Sequence, residues 1–581
     1  MTGFLGVDSS LTGRCWIGPS IERQRLAAAM EQVTGLPPSV CATLARLGVH
    51  AREAERYLAP RLRDLMPDPV TLRDMGVAAD RLIAAVNRRD RIAILADYDV
   101  DGGASAALLI SWLRCLDREA TLYVPDRLDE GYGPSEPAVK ALATGHDLVI
   151  CVDCGTLAHK PLSAAAGMDV LVLDHHLGDE TLPPAVAVVN PNRQDESGEL
   201  SYLCAAGVVF LLLVEVNRRL RAHGAAEPDL IQLLDLVALA TVADVAPLVG
   251  VNRAFVRQGL KVMAARQRPG LVALADIAKM DSPPNPYHLG YLIGPRINAG
   301  GRVGKADLGA RILSTDDPHE AAALAERLDA LNSERREIQD RVHAAALEQA
   351  TLRGMDGPLV WAAGNGWHPG VAGIVASKLQ ESANRPAIVI GLDGDTGKGS
   401  GRSVSGIDLG FAVRRLVSEG LLLKGGGHRM AAGLTIEREK LERAMERLGE
   451  LLENQGAAEI RRRDLVVDGV LMPGGASLQL IERIEDAGPF GAGAPAPRFV
   501  FPSVQVAYAR RVGDRHLKLR GEDGSGAALE AIAFGAYDCE IGPALEAHGG
   551  TPFHLAGRLE INFWRGRQTP QLRLEDAARA G

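Results

Sequence analysis

Three short apolar runs in this chain each stop on acidic or imidazole side chains: LADYDVDGG at 95–103, CVDCG at 151–155 and VLDHH at 172–176. They belong to a longer alternation. RIAIL (91–95), ALLISWLRCL (107–116), TLYV (121–124), DLVICV (147–152) and DVLVL (169–173) are short apolar stretches set among amphipathic ones. Such alternation predicts an α/β fold with a mostly parallel sheet flanked by helices. Ligand sites in open parallel sheets form beyond the carboxyl ends of the strands, so the three acidic strand ends are expected to converge on one site.

Asp97, Asp99 and Asp101 alternate along the first of these ends, and Gly102 and Gly103 then relieve the backbone, so several carboxylates can turn toward one point. Without a cation their mutual repulsion is costly. Carboxylates mixed with imidazole suit a divalent ion of intermediate character, Mn²⁺ ahead of Mg²⁺, because His is an uncommon ligand for Mg²⁺. So many ligands have room for two ions. LATVADVAPL at 239–248 presents one further carboxylate, Asp244, after a helical stretch. A calcium loop is the competing explanation of DxDxDG, but its twelfth position, counted from Asp97, is Leu108 rather than Glu. Cys151 and Cys154 form a lone CxxC without a second pair, which argues against a zinc site.

With 581 residues the chain holds about three or four domains. Residues 1–75 read as an N-terminal extension with no legible role. Residues 76–255 hold the parallel-sheet domain, and 256–352 a helical region ending in a long amphipathic helix that connects to a smaller α/β domain at 353–460. The triple arginine at 461–463 opens a change of texture, and the short alternating runs of 461–581 predict a small antiparallel β-barrel. The longest apolar run, Leu203 to Val214, is too short for the ~20 residues of a membrane span and reads as a buried helix. No signal peptide is evident, and seven scattered cysteines fit a reducing compartment, so a cytoplasmic enzyme is expected. A net charge of −9 excludes a protein coated in basic charge for indiscriminate polyanion binding, though not a local basic groove.

DYDVDG, VDCG, DHH and TVADVAPL occur in the order of the four motifs of the DHH phosphoesterase family, which the chain resembles. The resemblance implies that Asp99, Asp101, Asp153, His175 and Asp244 are metal ligands. It makes Asp97, Asp174 and His176 their close catalytic partners, with His176 touching the scissile phosphate. The reaction implied is hydrolysis of a phosphodiester by in-line attack of metal-activated water.

GWHPGVAGIVASKL at 366–379, SGRS at 400–403 and GGGHRMAAG at 425–433 resemble the DHH-associated domain. PDRLDEGYG (125–133), GPRINAGGR (294–302), LNSERREIQ (331–339) and PFGAGAPAPRF (489–499) narrow the likeness to the RecJ exonucleases, single-strand-specific enzymes that degrade DNA from the 5′ end. The resemblance implies that Arg127, Ser400 and Arg402 hold the 5′-terminal phosphate, that Tyr132 stacks on a base, and that Arg296, Arg302, His368 and His428 contact backbone or active site. It makes the C-terminal barrel an oligonucleotide-binding (OB) fold that grips single strands, and by family alone it implies a helicase and a single-strand-binding protein as partners of a monomer. One departure is Ala494, where the family's PFGxGNPxPxF stretch has asparagine. Two rival readings are a DHH phosphodiesterase for short oligonucleotides or cyclic dinucleotides, and a non-catalytic single-strand-binding scaffold. The barrel counts against the first and the intact metal motifs against the second.

Overall fold

The computed structural model describes residues 3–126, 130–165, 167–459, 464–564 and 566–580. Arg127, the triple arginine at 461–463 and Arg565 lie outside the described residues. The chain folds into two compact units, one made of Met1–Gly294, Ala310–Ala321 and Arg462–Gly581, the other of Pro295–Gly309 and Ala322–Arg461.

In the first unit β1 (Ile92–Ala96), β2 (Ala120–Tyr123), β3 (Leu148–Val152), β4 (Asp169–Leu173) and β5 (Ala187–Val189) form a wholly parallel sheet in the order β2-β1-β3-β4-β5. Every residue of β1 and β3 is buried, as expected of strands covered on both faces. The chain leaves β1 toward β2 and returns on the other side to β3, so the strand order switches direction between β1 and β3. A crevice opens at such a switch point, and Asp97 and Asp153 are the first residues beyond those two strands. Helices α1 (Met75–Arg88), α2 (Val100–Arg114), α3 (Ala205–Ala222), α4 (Leu234–Ala243) and α5 (Gly250–Ala264) complete this part. The apolar run at 203–214 lies mostly in α3, whose residues Ala205–Leu213 are all buried. Trp112 of α2 donates its indole N–H to Asn217 of α3 at 2.9 Å. Among the described residues no helix is long and apolar enough to cross a membrane.

The long amphipathic helix expected near 316–352 is α6 (Pro318–Arg353). It begins in the first unit and runs on through the second. There β6 (Val360–Asn365), β7 (Ala387–Asp393), β8 (Thr396–Arg402), β9 (Lys424–Gly427) and β10 (Ala431–Glu437) form a mixed sheet in the order β9-β10-β8-β7-β6, with only β6 and β7 parallel. Helices α7 (Pro369–Ala383), α8 (Leu409–Ser418) and α9 (Leu441–Glu453) pack with it.

The C-terminal part of the first unit is a closed barrel. Strands β11 (Phe499–Val512), β12 (His516–Glu522), β13 (Ala528–Ala533), β14 (Phe553–Trp564) and β15 (Arg567–Arg579) pair in the order β11-β12-β13-β15-β14, and β14 returns to β11. Among these five strands β13 and β15 run parallel, so the barrel is not antiparallel throughout. Closure removes exposed strand edges.

The N-terminal segment turns out to be part of the barrel's core. Cys15–Ile17 pairs in parallel with Asp464–Val466, and the buried Trp16 donates its indole N–H to Asp576 of β15 at 2.9 Å. Met30, Val40, Cys41 and Leu44 share one apolar cluster with Phe499, Phe501, Leu517 and Phe553. Arg253 of α5 lies over the Tyr57 ring at 3.5 Å and donates to the carbonyls of Ala487 and Gly488, at 3.1 and 2.8 Å. It thereby ties the helical layer of the parallel sheet to both the N-terminal segment and the entry to the barrel. Leu44→Ala should lower the urea midpoint of the barrel's unfolding transition by an amount equivalent to about 2–5 kcal/mol, the usual cost of emptying a buried leucine site.

Candidate active site

The acidic strand ends do converge. Asp99 caps α2, its Oδ1 accepting from the amides of Asp101 (2.9 Å) and Gly102 (3.2 Å). Gly102 is required here, because a Cβ at this position would meet the Asp97 carbonyl oxygen at 2.4 Å. The turn therefore folds back tightly enough to put Asp97, Asp99 and Asp101 in one loop. Asp101 accepts from the amides of Ala205 and Ala206, at 2.7 and 2.8 Å, in the first turn of α3. A carboxylate is favoured at a helix N-terminus, where amide groups point outward without helical partners. Asp153 follows β3 with φ of +59°, a strained conformation for a non-glycine residue that turns its carboxylate toward the other acids.

Beyond β4, Asp174 accepts from the amides of His175 (2.7 Å), His176 (3.2 Å) and Thr156 (3.1 Å), and lies 2.8 Å from His176 Nδ1. Burial opposes its charge, but the His176 and Thr156 hydrogen bonds together with the His176 charge hold it down to about 2. An ionised carboxylate only accepts, so His176 Nδ1 carries the proton. Burial disfavours the imidazolium, yet Asp174 and the more distant Asp244 and Asp97 raise His176 to about 9. His175 Nε2 faces three acids: Asp153 Oδ1 at 3.3 Å, Asp101 Oδ2 at 3.7 Å and Asp244 Oδ2 at 3.8 Å. Asp244 reaches this point from the C-terminal end of α4.

Three overlapping sets of ligand atoms result: Asp97, Asp99 and Asp153; Asp153, His175 and His176; and Asp101, His175 and Asp244. Within each set the atoms lie within 4.8 Å of one another. Sharing of Asp153 and of His175 between sets is the arrangement expected of two neighbouring cations. The donors fit such ions on electrostatic grounds. Burial, and then Asp101, Asp99, Asp97 and Asp174, push Asp153 well above the usual carboxylate range, and burial with Asp101 and Asp99 pushes Asp244 to about 8. Asp153 Oδ1 is buried and accepts no hydrogen bond among the described residues. Divalent charge removes that penalty, and oxygen with imidazole is a donor set for Mn²⁺ or Mg²⁺.

Sequence reasoning passed over the groups that fix the two histidines. Asn192 donates to the His175 carbonyl at 2.5 Å, and Asn190 to the His176 carbonyl and Thr156 Oγ1, both at 2.8 Å. The signal was present in NPN immediately after β5, an asparagine-rich turn at the same sheet edge as the other loops. Tyr132 has an exposed ring, but its hydroxyl donates to the Asp153 carbonyl at 2.9 Å and lies 3.1 Å from His176 Nδ1. Its hydroxyl thus braces the two metal-facing loops against each other.

A second cluster of polar residues lies within the second unit. In TGKGSGR of β8 the glycines at 397, 399 and 401 face the apolar core, where a Cβ on Gly399 would meet Ile390 at 2.8 Å. Alternation then sends Lys398, Ser400 and Arg402 to the opposite face. There Ser400 and Arg402 approach α7: a Cβ on Gly373 would fall 2.9 Å from Arg402 Nη2 and 3.1 Å from Ser400 Oγ. His368 caps α7, its Nδ1 accepting from Gly370 N at 3.1 Å, and Arg302 donates to the Gly370 carbonyl at 3.0 Å. Arg302, His368, Ser400 and Arg402 thus gather about a helix N-terminus, an environment suited to an anion. His428 is exposed in the turn before β10, whose Ala431 pairs with Arg402. Arg296 is set apart from these, buried against Asp329 at 2.8 Å.

A parallel sheet carrying this carboxylate and imidazole centre, a mixed α/β unit and a five-stranded barrel are the parts of a DHH-family protein. Family models agree: the DHH family N-terminal domain matches residues 91–241, the DHHA1 domain 356–454 and the RecJ OB domain 467–576. The chain belongs to the RecJ family within that class. It is 36% identical to the single-stranded-DNA-specific exonuclease RecJ of Salmonella typhimurium over 96% of this chain and 98% of that protein. It is 33% identical to RecJ of Bacillus subtilis over 92% of this chain and 66% of that protein. Among solved structures, RecJ of Thermus thermophilus in complex with Mn²⁺ matches with a TM-score of 0.79 at 29% identity, covering 97% of this chain and 79% of that one. The same protein in complex with Mg²⁺ matches at 0.73 and 27% identity, over 97% and 78%.

The repulsion among buried acids leads to a measurable consequence. In EDTA, Asp153→Asn should raise the melting temperature relative to wild type. Added Mn²⁺ should raise that of wild type more than that of the variant, since a ligand that binds the folded state stabilises it by mass action.

Proposed function

We propose that this protein is a metal-dependent exonuclease of DNA repair and recombination that hydrolyses single-stranded DNA from its 5′ end and releases 5′ mononucleotides. The observation that carries the reading is the overlap of three ligand sets on Asp153 and His175 at a sheet switch point, in a chain of the RecJ family. Asp99, Asp101, Asp153, His175 and Asp244 would hold two Mn²⁺ ions, or Mg²⁺ in their place. When bound, the ions supply Lewis acidity that acidifies water and neutralises charge on phosphoryl oxygens.

The protein's own groups do the rest. The amides of Ala205 and Ala206 favour the ionised form of the Asp101 carboxylate and aim it inward. Asp174 orients the His176 ring through Nδ1, leaving Nε2 as the atom to meet a phosphate oxygen of the scissile group. Asp97 completes the acidic ring beside Asp99. The cluster at the α7 N-terminus supports a role for Ser400 and Arg402 in holding the 5′-terminal phosphate with Arg127, because a planar guanidinium matches a terminal phosphate bidentately. Arg302 and His368 flank that cluster, and His428 lies on an adjacent turn, as backbone contacts would. Tyr132 is assigned to stack on a base with its exposed ring, and Arg296, paired with Asp329, to a backbone or active-site contact. The reading extends to a cytoplasmic monomer that works with a helicase and a single-strand-binding protein. Seven free cysteines support the reducing compartment.

Digestion of single-stranded DNA labelled at either end tests this. With Mn²⁺, mononucleotides should be released from the 5′ end. EDTA and Asp153→Ala should abolish release, and Arg402→Ala should reduce it about tenfold or more, on the scale of losing a charge-assisted phosphate contact. Survival of long strands with hydrolysis of dinucleotides would favour a short-substrate phosphodiesterase, and binding without cleavage a scaffold.

A further inference from the structure

Two tyrosines of the first unit stand side by side in solvent. Tyr287 and Tyr291 are 50% and 67% exposed, and their rings stack on one another with centroids 5.2 Å apart and planes 21° apart. Large aromatic side chains bring a substantial apolar area that is normally buried, so a stacked pair left in solvent calls for an explanation. Their backbone is also unusual. His288–Ile293 winds as a π-helix, a form that recurs at functional sites. Pro283, Pro284 and Pro286 precede it, the His288 amide donates to Asn285 Oδ1 at 3.1 Å, and the buried His288 ring meets Tyr287 edge-on with centroids 6.1 Å apart.

The position relative to the metal centre gives the pair its meaning. Gly290 and Gly294 form the packed edge of the same helical stretch: a Cβ on Gly290 would touch Val242 at 3.4 Å, and one on Gly294 would touch Ala243 at 3.4 Å and Val100 at 4.0 Å. Val242 and Ala243 are the last residues before Asp244, and Val100 follows Asp99. Tyr287 and Tyr291 lie four residues apart, about one helical turn, and carry their exposed rings on the same stretch as these glycines. The tyrosines therefore stand, exposed, on a helical stretch that packs against the residues leading into Asp244.

We propose that Tyr287 and Tyr291 are a stacking platform for bases of the single strand on the 3′ side of the scissile bond. The inference rests on the exonuclease reading and extends it: the 5′-terminal nucleotide is the one consumed at the metals, so bases lying outside the centre belong to the remaining strand. Flat exposed rings bind any base through its π-face, which suits an enzyme that must accept every sequence. The pair holds the strand without specifying it.

The test uses the full-length protein in EDTA, so that binding is read without cleavage. A 5′-phosphorylated 20-mer carries 2-aminopurine at successive positions, and its fluorescence and anisotropy are followed on titration. Quenching by wild type should be confined to one or two interior positions, and the double variant Tyr287→Ala/Tyr291→Ala should abolish it and weaken affinity about tenfold, in the range for loss of a base–aromatic stack. Tyr287→Phe/Tyr291→Phe should keep both. Wild-type quenching and affinity in the alanine variant would overturn the platform. Digestion by the same wild-type preparation with Mn²⁺ judges the exonuclease reading separately, so a platform that fails in a working exonuclease fails alone.

Discussion

Like charges forced into one dry crevice are the constraint around which the first unit is built. Asp97, Asp101, Asp153 and Asp174 are all buried near a single point, and in a low-dielectric setting each raises the cost of ionising the others. The fold answers with peptide dipoles before any ion is considered. Asp101 sits at two helix N-termini at once, in the first turn of α2 and against the first amides of α3. Asp99 is stabilised by the amides of its own helix, and Asp174 by amides and an imidazole. Asp153 receives no comparable support among the described residues, and it is the acid shared between two ligand sets. An acid whose Oδ1 the described residues leave without a hydrogen bond is thus well placed to be satisfied by a cation.

The second unit solves a complementary problem with glycine. An anion binder needs cationic and hydroxyl side chains close to backbone amides, and bulk would keep them apart. Glycines at alternate positions of β8 allow the strand to lie against the apolar core on one face while Ser400 and Arg402 rise from the other. Gly373 then permits α7 to come down onto those two side chains. The acidic centre and the basic cradle therefore rest on the same device, close backbone approach at a glycine, used with opposite charge.

Most of the clustering of acids and imidazoles was legible in the sequence because strand ends write their chemistry in contiguous letters. DYDVDGG, VDCG and DHH each combine a β-run with its terminal acids, and a parallel sheet aligns such ends. The supporting residues were less visible. Asn190 and Asn192 act through carbonyl groups of residues elsewhere in the chain, so the NPN turn after β5 shows two asparagines at the sheet edge but not what they hold. Arg296 reads from sequence as one more basic residue in GPRINAGGR, and only its burial against Asp329 separates it from Arg302. The N-terminal segment was illegible for a related reason. Its helices have apolar positions whose partners are barrel strands more than four hundred residues away, as with Leu44 and Phe499. The expected antiparallel barrel was correct in closure and wrong at the β13–β15 pair, because strand direction across a closing seam depends on connections that local alternation does not encode.

The bond between Trp16 and Asp576 spans 560 positions. A chain made from its N-terminus has finished Trp16, Met30 and Leu44 long before β15 exists to cover them, and non-local contacts form only after the intervening loop closes. During synthesis those apolar side chains stay accessible, the condition under which nascent chains attract chaperones. The first fifty residues thus depend for their burial on strands that lie hundreds of positions further along the chain.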